Sequence, residues 1–155
     1  MNKIKEAVAY FTKNYLSKSD LSNARITKLI YLSDWHHAIN YQSQITTINW
    51  YFDNYGPFVN DVFDAVCQHK DIFNIKIITN IYGSDKTIFI LKDENYIPVL
   101  DESERQSLDH IINITQNLNW NDFIKLVYST YPIASSQRYT HLDLLKKARE
   151  YKGLK

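Results

Sequence analysis

Residues 22–41 read SNARITKLIYLSDWHHAINY, and this stretch decides the fold. Side chains suited to burial recur at helical spacing along one face, with a second such face beside it. The first face carries Ile26, Leu29, Ile30, Ser33 and His37, and the second carries Lys28, Tyr31, Leu32 and Trp35. Because two faces have apolar content, the pattern predicts a helix at the centre of the domain.

Further helices are predicted on both sides of this central one. Apolar residues at helical spacing indicate a first helix over about residues 2–16, with Asn2 as its cap. Downstream helices are predicted at about 58–69, after the capping-box pair Asp101 and Glu104, at 120–130 before Pro132, and after a second such pair, Thr140 and Asp143.

The remaining segments have extended or turn character. Residues 45–52 are rich in Thr, Ile and aromatics and favour an extended segment, and Pro57 suits the first turn of the helix that follows. Residues 75–79 and 87–91 flank a turn and predict a hairpin. The predicted fold is mainly α (α+β), a compact bundle of about five or six helices with a small β-hairpin or short antiparallel sheet.

Composition predicts one folded domain spanning residues 1–155. The chain is 45% hydrophobic and has only three Gly and three Pro, so it can bury enough apolar surface to offset its ordering entropy. Its formal net charge is +1, from 18 basic and 17 acidic side chains. Such a balance creates no long-range field for a phosphate backbone, and nucleic-acid binding is not expected.

The chain's compartment is expected to be the cytoplasm. The one cysteine, Cys67, excludes an intramolecular disulfide and is predicted to lie on the buried face of its helix beside Val62, Phe63 and Val66. No apolar run reaches the roughly 18 residues of a membrane-spanning helix, so no membrane association is expected.

The sequence lacks the usual enzyme motifs. Glycine stands only at positions 56, 83 and 153, which excludes a P-loop and a Gly-x-Gly-x-x-Gly turn. His36 and His37 project about 100° apart on a helix, and Cys67 and His69 also diverge, so no metal site and no cofactor are expected.

One pair of residues leaves a catalytic alternative open. Asp34 and His37 are three residues apart on a helix, so the carboxylate could orient the imidazole of a hydrolase. We favour the interpretation that His37 is a hydrogen-bonded core residue, because it lies on a mostly apolar face.

Twelve Tyr and three Trp supply many amphipathic aromatic side chains. Such residues are enriched in protein interfaces, although a domain of this size also needs them in its core.

Two motifs in order resemble the Panacea, or SocA-like, antitoxin domain. The first is the run Lys28-Leu29-Ile30-Tyr31-Leu32 with His37, and the second is Tyr55-Gly56-Pro57-Phe58-Val59 with Phe63. The family-motif residues are therefore Lys28, Leu29, Tyr31, His37, Val59 and Phe63. The resemblance implies a mainly helical bacterial or phage domain that neutralises a cognate toxin by contact, and some members deliver the toxin to a protease.

The same resemblance directs attention to the Gly-Pro turn as a partner-binding site. The turn either presents aromatic residues outward or only sets the angle between the extended segment and the next helix. The family tends to have Trp two positions before the Tyr, where Asp53 stands here, and Trp50 is a candidate to replace its packing. The predicted partner-binding residues are Tyr55, Gly56, Pro57, Phe58, Trp50 and Trp35.

A winged-helix-like DNA-binding regulator is the runner-up hypothesis. Helices followed by a hairpin are compatible with it, but no helix rich in Lys and Arg precedes the hairpin. The hairpin region itself offers only Lys76, Lys86 and Lys92.

Overall fold

The computed structural model describes residues 2–153, which form seven α-helices and two small antiparallel sheets. The predicted mainly helical fold is confirmed, with 51% of the chain in helix. The helices are α1 (Ile4–Asn14), α2 (Asn23–Tyr41), α3 (Asp61–Gln68), α4 (Glu102–Thr115), α5 (Trp120–Ser129), α6 (Tyr131–Ala134) and α7 (Leu144–Tyr151). The strands are β1 (Phe52–Asp53), β2 (Gly56–Pro57), β3 (Phe73–Thr79) and β4 (Asp85–Leu91).

Helix α2 lies at the centre, as its two buried faces predict. Every residue from Arg25 to Trp35 is buried, and the helix packs against α1, α3, α4 and α7. Its N-terminus is capped by Ser22, whose side chain accepts a hydrogen bond from the amide of Arg25. The helix ends at Gln42, which adopts the left-handed conformation with φ of 56°.

Some of the predicted helix caps are confirmed, and others are wrong. Asp101 and Glu104 form the complete capping box of α4. Helix α1 begins at Ile4 after Lys3, so Asn2 is not its cap. Asp143 alone caps α7, by accepting from the amide of Lys146, while the hydroxyl of Thr140 donates to the carbonyl of Gln137.

Two predictions around α3 are also wrong. Pro57 pairs with Phe52 in the β1–β2 hairpin and does not begin a helix, because α3 starts at Asp61. The side chain of Cys67 is exposed, since the narrow stripe that buries Val62 and Val66 does not include it.

Residues 42–51 form an irregular segment where the sequence predicts extended structure. The cause is the fully buried carboxylate of Asp34 on α2, which accepts five hydrogen bonds from this segment. The donors are the amides of Ile45 (2.9 Å) and Thr46 (3.0 Å), Thr46 Oγ1 (2.6 Å), Trp50 Nε1 (2.9 Å) and Gln44 Nε2 (3.3 Å). These bonds replace the strand partners that β-forming residues would otherwise need.

Burial raises the pKa of Asp34 to about 6, although the hydrogen bonds from Thr46, Trp50 and Ile45 act to lower it. At neutral pH the group is therefore a carboxylate, the form that accepts all five bonds.

Replacement of Asp34 by Ala should destabilise the fold by about 3 kcal/mol or more, because it leaves buried donors without an acceptor. Chemical denaturation measures the loss. Asp64→Ala, an exposed carboxylate on α3, is the matched control and should change stability by less than about 1 kcal/mol. Equal stability of the two variants would contradict the role assigned to Asp34.

Candidate partner-binding surface

The β1–β2 hairpin presents one aromatic side chain to solvent. Phe52 pairs with Pro57 and Asp53 with Gly56, and the amide of Phe58 donates to the carbonyl of Tyr51 at 3.0 Å. Within this turn Tyr55 is 81% exposed, whereas its neighbours Gly56 and Pro57 are buried. The turn therefore holds Tyr55 outward on a buried base.

Gly56 supplies the backbone conformation that this turn requires. Its φ of +102° is a conformation that side-chain-bearing residues rarely adopt. A Cβ there would lie 3.6 Å from the ring of Tyr128 and 3.8 Å from Cε of Lys28. Gly56 of the turn motif therefore lies close to Lys28 of the α2 motif.

A segment distant in sequence supports the other side of the hairpin. The amide of Phe52 donates to the carbonyl of Thr140 at 2.9 Å, and the amide of Tyr139 donates to the carbonyl of Phe52 at 2.6 Å. One step inward, the amide of Leu142 donates to the carbonyl of Trp50 at 2.8 Å. The hairpin is therefore held between α2 and residues 138–142.

This supporting segment adds its own exposed side chains. Tyr139 is 61% exposed, has φ of 67° and donates its hydroxyl hydrogen to Oδ1 of Asn54. Arg138 donates to the carbonyl of Asn54 at 3.3 Å and places its guanidinium 5.5 Å from the ring centre of Phe52. We call the exposed and half-buried group Asn54, Tyr55, Phe58, Arg138 and Tyr139 the hairpin surface.

Arg138 and Tyr139 were not predicted as site residues from the sequence. They lie 84 and 85 residues from Asn54, and they join it through tertiary contacts that local patterning does not encode.

The two predicted tryptophans are buried and do not form part of the hairpin surface. Trp50 is fully buried, and its ring packs edge-on against Tyr31 with 5.5 Å between centroids. Trp35 is 7% exposed and packs edge-on against Tyr151. Neither indole offers contact area to a partner in this conformation.

Three family-motif residues of α2, together with Asp34 between them, anchor the segment from 43 to 58 at successive points. Lys28 lies beneath Gly56, Tyr31 packs on Trp50, Asp34 binds the 44–50 region, and His37 binds Ser43. The anchors follow one another at three-residue intervals and meet the segment in reverse order, so the segment runs antiparallel to the helix. Each three-residue step turns by about 60° around an α-helix, so the segment also winds partly around α2. Of the other motif residues, Leu29 is core, Val59 is half-buried and Phe63 stacks on Phe89.

His37 is buried and hydrogen-bonded, as its apolar setting predicts. Its Nδ1 donates to the carbonyl of Ser43 at 2.6 Å, and its Nε2 lies 3.0 Å from Oγ of Ser103. The hydrogen bonds of Asp34 all go to residues 44–50, so the two side chains do not form the acid–base pair considered from the sequence.

A charged side chain lies under the hairpin surface. Lys28 is only 3% exposed, and its Nζ stands 5.9 Å from the centre of the Phe58 ring. Burial lowers the pKa of Lys28 to about 8, and the negative charge of Asp53 acts in the opposite direction.

A family model, described as the SocA-like antitoxin Panacea domain, matches residues 26–132, which is more than half of the chain. The chain belongs to the SocA-like Panacea antitoxin family. No curated protein and no solved structure matched the chain. The Panacea match includes Lys28 and the whole β1–β2 hairpin, while Arg138 and Tyr139 lie beyond its end.

No helix among residues 2–153 is long and apolar enough to span a membrane. Those residues also contain no group of three or more His, Cys, Asp or Glu side chains that could hold a metal ion.

Substitution of His37 by Ala should lower the free energy of unfolding by about 1–3 kcal/mol, because Ser43 and Ser103 lose a buried partner. Denaturant titration measures this, and partner binding by the folded fraction should remain. Unchanged stability with lost binding would instead make His37 a contact residue.

Proposed function

We propose that this Panacea domain is an antitoxin that binds its cognate toxin directly through the hairpin surface. Membership of an antitoxin family implies a toxin partner in general. The observation that carries the choice of surface is the 81% exposure of Tyr55, which directly precedes the buried Gly56 and Pro57. Tyr55 is a large side chain that the turn holds in solvent. A partner that covers it would remove its apolar surface from water, which favours binding.

The composition of the hairpin surface supports this proposal. Two tyrosines and an arginine, Tyr55, Tyr139 and Arg138, lie around Asn54, and these residue types dominate the energetics of protein interfaces. Hydrogen bonds on both sides of the hairpin fix its backbone before binding, which reduces the ordering cost of association.

We also propose that the domain acts by binding and not by catalysis, in the cytoplasm of a bacterium or a phage-infected cell. Asp34 and His37, the acid–base pair that the sequence raised, have separate structural partners. Delivery of the bound toxin to a protease would be a further step after the binding proposed here. The half-life of the toxin in cells with and without the antitoxin distinguishes delivery from simple neutralisation.

The DNA-binding alternative receives less support. Lys76 and Lys86 of the β3–β4 hairpin are exposed, but Lys86 already donates to the carbonyl of Ser19 at 3.0 Å, and Asp85 lies beside it. Lys92, which follows β4, is also exposed. Three lysines with an adjacent carboxylate provide few phosphate contacts.

Replacing Tyr55 by Ala should weaken toxin binding about 30-fold or more, the effect of losing an aromatic hot spot worth 2 kcal/mol. Thermal stability should stay near the parent value, because the side chain is exposed. The probe is the product of the reading frame adjacent to this gene, scored by growth rescue on coexpression and by titration calorimetry.

The matched control is Tyr82→Ala, which removes a tyrosine that is 86% exposed on the β3–β4 turn. Toxin binding should survive this change. If Tyr55→Ala binds normally and Tyr82→Ala does not, the contact lies at the other hairpin and the proposed surface is wrong.

A further inference from the structure

Lys28 is a largely buried residue whose ammonium group has no ion-pair partner among residues 2–153. The residue is only 3% exposed, yet its Nζ makes no hydrogen bond with residues 2–153 and no ion pair within 4.0 Å among them. Its described surroundings are the ring of Phe58, the backbone of Gly56 near Cε, and the charge of Asp53 beyond ion-pair distance. Partial removal of an ammonium from water costs stability unless a partner compensates it.

The ammonium nevertheless reaches the surface. Every fully buried side-chain nitrogen or oxygen among residues 2–153 has a hydrogen-bond partner. Nζ has none, so the small exposed fraction of Lys28 must include this atom. The stem of the side chain is buried beside the hairpin, and its charged end opens next to Phe58.

The charges at this opening indicate the chemistry of an occupant. Arg138, across the hairpin, is a second cation on the hairpin surface, and the near acid is Asp53, which forms no ion pair with Lys28. Tyr128, whose ring lies near Gly56, is the titratable group contributed by α5. Two cations, Lys28 and Arg138, and one acid, Asp53, lie around the hairpin, and this net positive charge suits an anionic group presented by a protein side chain.

We propose that Lys28 binds a carboxylate of the toxin, an Asp or Glu side chain that enters beside Phe58 when the toxin covers the hairpin surface. This inference rests on the proposed function and adds the recognised group to it. The carboxylate would supply the acceptor that Lys28 lacks, and the surrounding toxin would exclude water from the pair. Such a buried pair contributes specificity, because a toxin without the acid leaves the ammonium unpaired.

The first test compares Lys28→Met with the parent in toxin titrations. Met has a similar length and no charge, so the fold should keep its thermal stability or gain some. Toxin affinity should fall about 30-fold or more. Lys146→Met removes an exposed lysine of α7 and is the matched control, for which affinity should change less than about threefold.

A double-mutant cycle identifies the acid. Each surface Asp or Glu of the toxin is changed to Asn or Gln and titrated against the parent and against Lys28→Met. One such change should weaken binding to the parent and have little further effect on Lys28→Met. Additive losses for every toxin acid would overturn the inference.

Proton linkage tests the same pair without any substitution in the antitoxin. Because the pKa of free Lys28 is about 8, the free protein at pH 8 carries about half a proton there. Pairing with a carboxylate raises this pKa, so complex formation should take up about half a proton at pH 8 and almost none at pH 6. Affinity should therefore weaken as the pH rises above 8.

Calorimetry in buffers of different ionisation enthalpy measures this uptake, and Lys28→Met should abolish it. Equal uptake and equal affinity in the parent and Lys28→Met would overturn the carboxylate inference. If Tyr55→Ala still loses binding in that case, the proposed antitoxin surface stands without it. If all three proteins bind alike, the hairpin surface itself is wrong.

Discussion

The hydrogen bonds that the Asp34 carboxylate accepts are the interaction on which the rest of the structure depends. A buried carboxylate in the middle of the central helix needs hydrogen-bond donors, and residues 44–50 supply all of them. The last of these donors, Trp50 Nε1, lies two residues before β1. The helix therefore fixes where the β1–β2 hairpin begins and, through it, where Tyr55 emerges.

The anchors on α2 explain why the two motifs occur together. Lys28, Tyr31, Asp34 and His37 each contact the segment that runs back along the helix from the Gly56 turn to Ser43. Three of the four contacts are fully satisfied core interactions, and the fourth, at Lys28, leaves a cation without an acceptor at the end nearest the surface. The proposed toxin contact therefore lies at the end of this row of anchors that is nearest the surface.

The sequence predicts elements whose determinants are local. The period of apolar residues identifies α2, the capping box identifies the start of α4, and alternating residues around a turn identify the β3–β4 hairpin.

Prediction from the sequence fails where a tertiary contact overrides local preference. Residues 45–51 have β propensity but bond to Asp34, and Pro57 pairs with Phe52 instead of beginning a helix. For the same reason, only part of the hairpin surface could be predicted from the sequence. Tyr55 belongs to a sequence motif, whereas Arg138 and Tyr139 come close to it only in the folded structure.

Amide hydrogen exchange, compared with and without bound toxin, tests most directly whether the hairpin surface is the contact. Exchange should slow at residues 53–58 and 138–141, which form and support that surface, and stay unchanged at 80–84 on the other hairpin. Protection confined to residues 80–84, with 53–58 and 138–141 unaffected in a saturated complex, would contradict the assignment.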